Sequence, residues 1–86
     1  MSIFEKRNGL LGIEFDRYVR EHPEFLEKIP RNAQVVLLVE GDDEFNAWST
    51  RLGKQQAESG QPIIYVTIKK LGPAHSRIEE ISLATA

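Results

Sequence analysis

Between Ala33 and Lys69 the apolar positions change period twice. Ala33-Gln34-Val35-Val36-Leu37-Leu38-Val39-Glu40 is a near-continuous run of branched and aliphatic residues. Such a run suits a strand covered on both faces, as parallel strands are. Gly41-Asp42-Asp43 breaks it. Apolar positions then move to helical spacing, with Phe45, Trp48, Leu52 and Gln56 marking the expected buried side of a helix. Asp42 or Asp43 is its expected N-cap, and acidic residues suit the positive end of the helix dipole. Gly60 is the expected stop, followed by Pro62. Ile63 to Lys69 reads as a second strand. The 22 residues between Glu40 and Ile63 hold a crossover helix, so the strands should be parallel and the connection right-handed.

The first third of the chain is helical in pattern. Ser2 and Glu5 have the spacing of a capping box. Phe4, Leu11, Phe15 and Tyr18 follow as one apolar stripe, with Val19 beside them. Gly9 and Gly12 weaken this helix by about 1 kcal/mol each relative to alanine, which makes 10–21 its firmer part. Pro23 ends the helix or starts another. Glu24 to Lys28 allows at most two turns, with Phe25, Leu26 and Ile29 expected inward, before Pro30 stops them.

These elements predict an α/β fold: N-terminal helices, then one right-handed β-α-β unit, giving a small parallel sheet with helices on both faces. Residues 1–71 form the expected domain. Residues 72–86 form an expected tail, with disorder, a short helix from Ser76 and an edge strand at Ile81 and Leu83 as its alternatives. A two-stranded sheet leaves two open borders, which can recruit another chain. A homo-oligomer is therefore expected.

Composition narrows the function classes. The formal net charge of -2 supplies no general basic field, which disfavours nucleic acid as a partner. Without cysteine there are no disulfides, thiolate metal sites or cysteine nucleophiles. No apolar run approaches the roughly 20 residues of a membrane span, and the first residues lack a signal-peptide pattern. A soluble, cytoplasmic protein with no membrane association is expected.

Candidate chemistry is concentrated in Glu40, Asp42, Asp43 and Glu44, at the carboxyl end of the first strand, where α/β folds collect functional groups. Clustered carboxylates suit a divalent cation such as Mg²⁺. The simpler account makes Gly41 the turn, Asp42 and Asp43 caps, and Glu40 a solvated side chain. The same acids repel phosphate groups from that helix start, and no glycine-rich phosphate loop is present. His22 is expected as a helix cap or surface side chain, and His75 as an exposed loop residue. Lys69 and Lys70 end the second strand, where they protect an edge or pair loosely with Glu40 or Asp42.

Residues 36–43, Val-Leu-Leu-Val-Glu-Gly-Asp-Asp, resemble the first motif of topoisomerase–primase catalytic domains. That resemblance implies a role for Glu40 in phosphodiester chemistry. The family's second motif, Asp-x-Asp on a later strand, does not occur after residue 44. Over roughly 10–71, the order Glu14-Phe15-x-Arg17-Tyr18, Glu21-His22-Pro23-Glu24-Phe25, Ile29-Pro30, the apolar strand, Gly60-Gln61-Pro62 and Tyr65-Val66 resembles a family of small prokaryotic α/β domains of unknown function. This second resemblance implies no catalytic or binding residue.

The leading expectation is a small non-enzymatic interaction or regulatory domain that binds no cofactor and self-associates or takes a protein partner. Tyr18, Phe25 and Tyr65 are its candidate interface residues, because six large aromatic residues exceed what a two-stranded sheet can seal. The alternative is a Mg-dependent nucleotide- or phosphoryl-handling domain using Glu40, Asp42, Asp43 and Glu44.

Overall fold

A computed structural model describes residues 2–85; Met1 and Ala86, the outermost residues of the expected domain and tail, lie outside it. The element order is α1 (Ile3–Glu21), α2 (Pro23–Leu26), β1 (Gln34–Val39), α3 (Asp43–Gln56) and β2 (Ile63–Ile68). The strands pair in parallel, from Gln34 opposite Ile63 to Val39 opposite Ile68, as expected of a β-α-β unit.

Ser2 starts α1 by accepting the Glu5 N–H on its hydroxyl oxygen at 3.1 Å. The helix runs unbroken through Gly9 and Gly12 rather than firming only at residue 10. Tertiary contact explains the difference. The Phe4 ring lies 5.8 Å from both the Phe45 and Trp48 rings, so the first turns are held from α3. Pro23 disfavours helical torsions in the residue before it, and His22 leaves them with φ -131° and ψ 69°. Pro23 then occupies the first turn of α2, where its missing N–H is harmless. Leu26 is half exposed rather than inward, because α2 ends there after a single turn.

Side-chain alternation divides the sheet. Leu37 joins Leu11 of α1 and Phe45 of α3 in the main core cluster, with Val35, Val39, Val66 and Ile68 packed against it. Val36 points the other way, against Gly53 of α3. Both faces of β1 are therefore covered. A Cβ on Gly53 would overlap Val36 Cγ2, so glycine is what lets α3 approach the strand this closely.

The buried side of α3 is Phe45, Ser49 and Gly53. Trp48 and Leu52 are half-buried and Gln56 is exposed, a correction to the expected stripe. Ser49 and Gly53 face the strand beside Phe45 while Trp48 and Leu52 flank them, and a search for large apolar side chains misses the two small residues. Gly60 does not stop the helix; α3 ends at Gln56 with Ala57 extended. Gly60, at φ 78°, instead serves the loop before β2. That loop is fastened by the Gln61 side chain, which accepts the Glu58 N–H and donates to the Asn32 carbonyl, each at 2.8 Å.

Beyond β2, residues 69–85 contain no helix or strand. The radius of gyration is 16.5 Å, against about 12 Å for a compact chain of this length, because this segment extends from the body.

Candidate functional site

The two borders of the sheet are unequal. Gln34 N–H donates to the Pro62 carbonyl and Glu40 N–H to the Ile68 carbonyl. In a parallel ladder, backbone groups alternate between partner and border. The even residues of β1 therefore face β2, and Val35, Leu37 and Val39 face outward. Side chains of α3 occupy the Leu37–Val39 end of that outer border. Asn46 accepts the Val39 N–H and donates to the Val39 carbonyl, both at 2.8 Å. Ser49 donates its hydroxyl to the Leu37 carbonyl at 2.8 Å.

The same alternation turns the N–H and C=O groups of Ile63, Tyr65 and Thr67 to the border of β2. Among the described residues nothing bonds to them. Tyr65 is 47% exposed and shares its sheet face with Val36, but α3 lies on β1 and leaves Tyr65 and Thr67 open.

On the opposite face a groove of 430 Å³ runs beside β2. Phe15, Tyr18 and Phe25 form its helical wall, and Val66, Thr67 and Ile68 its strand wall. Tyr18 and Phe25 meet edge to face with centroids 5.6 Å apart. Glu14, Lys69 and Lys70 stand at its mouth. Of the three interface candidates, Tyr18 and Phe25 thus share one groove, while Tyr65 lies on the other face of the neighbouring strand. His22 caps α1: its backbone N–H donates to the Tyr18 carbonyl, Nδ1 lies 2.9 Å from that same oxygen, and its ring stacks on Tyr18 at 4.0 Å. His75 is exposed.

The acidic turn is built around Asp42. Gly41 makes the turn at φ 84°. Asp42 Oδ1 then accepts the Phe45 N–H at 3.2 Å as the N-cap of α3. Its Oδ2 accepts from Arg7 Nη1 of α1. The same guanidinium lies 4.9 Å over the Phe45 ring. Glu40, Asp43 and Glu44 are exposed. Among the described residues no group of three or more histidine, cysteine or acidic side chains is placed to hold a metal ion. Lys69 and Lys70 pair with neither Glu40 nor Asp42; Arg7 pairs with Asp42 instead. Sequence reasoning missed Arg7, although a charge at an inward position between Phe4 and Leu11 was its signal.

The hydrogen bond from Arg7, seconded by the Phe45 N–H, holds the Asp42 carboxyl below its ordinary pKa against partial desolvation. A lowered folded pKa means that this carboxylate contributes stability above its unfolded value of about 3.9, lost as pH falls through the folded value. Replacing Arg7 by Gln should move the Asp42 midpoint up toward the ordinary range. The stability gap between the two proteins should be full at neutral pH and shrink below about pH 4. An NMR titration of the Asp42 carboxyl carbon with parallel urea curves checks both; an unmoved midpoint would remove Arg7 from the account.

A parallel strand pair with a crossover helix on one face and a long N-terminal helix on the other defines a small α/β domain. The chain belongs to a family of unknown function, DUF5647, whose pattern matches residues 3–81. No curated protein and no solved structure shows a significant match. The likeness of residues 36–43 to topoisomerase–primase domains therefore gains nothing from these comparisons. No helix among the described residues is long and apolar enough to cross a membrane.

Proposed function

We propose that this protein is a non-enzymatic interaction module that joins a second copy of itself by pairing β2 with β2. The observation that carries this reading is the inequality of the borders: Asn46 and Ser49 occupy that of β1, whereas Ile63, Tyr65 and Thr67 leave that of β2 unsatisfied. Unpaired strand borders are templates for another strand. A two-fold axis through Tyr65 would set the β2 strands antiparallel and make one four-stranded sheet, an ordinary size for a stable one. Lys69 and Lys70 of each copy then fall beyond the paired span, so like charges do not face each other. The Mg-dependent alternative has less behind it, because Asp42 is engaged by the Phe45 N–H and by Arg7.

Sedimentation equilibrium of the full chain into the high micromolar range should give a dimer mass. Thr67 is exposed and its N–H points off the sheet, so Thr67→Pro should keep the fold. It removes one donor per copy and should raise the dimer Kd about tenfold or more. Val66→Pro, whose N–H faces β1, should instead disrupt the fold. A monomer at every concentration, or wild-type association in Thr67→Pro, would overturn the proposal.

A further inference from the structure

We propose that residues Arg77–Leu83 of one copy dock in the Tyr18–Phe25 groove of a second copy, an assignment that rests on the self-association reading above. Groove and segment complement each other in kind. The groove has apolar walls with Lys69, Lys70 and Glu14 at its mouth. The segment carries Ile78 and Ile81 on either side of Glu79-Glu80, preceded by Arg77. Two lysines can face two glutamates, and two isoleucines are available to the aromatic walls; Glu14 is already paired with Arg17.

Within one copy these side chains have nothing to cover them. Ile78, Ile81 and Leu83 are 65%, 84% and 94% exposed. Yet the family match runs through Ile81, across thirteen residues that form no helix or strand. Three exposed apolar side chains within six residues, Ile78 to Leu83, make an apolar patch of the kind that marks an interaction surface.

The path of the chain favours exchange between copies. It leaves its own groove at Leu71, which helps to line it, and residues Gly72–Arg77 pass Glu14 and Arg17 on the flank of α1. Returning to that groove would need a reversal within those few residues. Outward, the 14 residues from Gly72 to Thr85 span up to about 46 Å, enough to reach a neighbour. Thr67 also lines the groove, but Ile63 and Tyr65, the other two residues of the β2 border, do not. Exchange in both directions closes a two-fold dimer with no surface left to propagate.

The test uses the full chain and sedimentation equilibrium. Ile78→Asp with Ile81→Asp, at positions exposed in one copy, should leave the fold intact and raise the dimer Kd about 30-fold or more. Lys69→Glu with Lys70→Glu should also weaken the dimer, and adding Glu79→Lys with Glu80→Lys to that chain should restore it. Mixing the isoleucine variant with the lysine variant should yield heterodimer in preference to either homodimer, because only the mixed pair contains one intact groove facing one intact segment. If Thr67→Pro dissociates the protein while the isoleucine variant associates as wild type, this inference fails and strand pairing stands. A wild type that remains monomeric sinks both. Changed amide shifts at Tyr18 and Val66 in the isoleucine variant, with association unaltered, would place the segment in its own groove and overturn exchange.

Discussion

Phe45→Ala should cost about 3–5 kcal/mol, a large part of the roughly 4–13 kcal/mol that holds a chain of this length together. Phe45 is 0% exposed, and it is where three elements meet. It clusters with Leu11 of α1 and Leu37 of β1, and its ring lies 5.8 Å from Phe4 and 5.9 Å from Trp48. Arg7 covers its outer face at 4.9 Å. Truncation removes all these contacts together, and a core this thin has little with which to refill the space. The backbone N–H survives the substitution, so the Asp42 cap persists and the loss belongs to the ring. Urea denaturation measures it directly. A loss below about 1 kcal/mol, less than that of a typical destabilising mutation, would mean that α1 does not depend on this residue for its seat on the sheet.

Two chemically identical substitutions should have opposite signs. Gly9→Ala places a methyl group in open space on α1 and should stabilise the protein by up to about 1 kcal/mol through helix propensity. Gly53→Ala gains the same local term on α3, but its Cβ collides with Val36 Cγ2. Val36 is branched at Cβ and buried, so it cannot swing away as a long side chain would. Overpacking costs typically about 1–3 kcal/mol and should outweigh the propensity gain. Melting curves should therefore rank Gly9→Ala above wild type and Gly53→Ala below it. Val36→Ala in the Gly53→Ala background should recover part of the loss, a coupling that a double-mutant cycle reads. Equal effects at the two glycines would mean that α3 does not rest on Val36.

Much of this fold can be read from local pattern. The unbroken apolar run from Val35 to Val39 requires cover on both faces, and the structure supplies it with Leu11 on one side and Gly53 on the other. Ser2 and Asp42 were identifiable as caps from the residues that follow them. Gln56 and Leu26 misled for a common reason: helical spacing shows which positions share a face, not how far that face remains in contact with a neighbour. Ser49 and Gly53 escaped notice because a polar or absent side chain carries no hydrophobic signal, although these are the residues that press α3 onto β1.

The interface candidates show the same division. Tyr18 and Phe25 were identifiable as surplus aromatic residues, and Tyr65 as a residue turned opposite to its strand neighbours. That Tyr18 and Phe25 line one groove depends on the sharp turn at His22-Pro23, which folds α2 back against α1. The chemistry of the acidic turn likewise changed once Arg7 met Asp42, because its partner lies 35 positions earlier in the chain.

By itself, then, the sequence determined the element order, the parallel pairing, the caps and the absence of thiol chemistry, since each follows from torsional preference, spacing or composition along a short stretch. Only the tertiary structure decided which sheet border is occupied, because Asn46 and Ser49 reach Val39 and Leu37 only after the crossover has brought helix against strand. Backbone groups on both borders are chemically alike in an extended chain. Packing alone gives one border partners at Val39 and Leu37 and leaves the other unbonded.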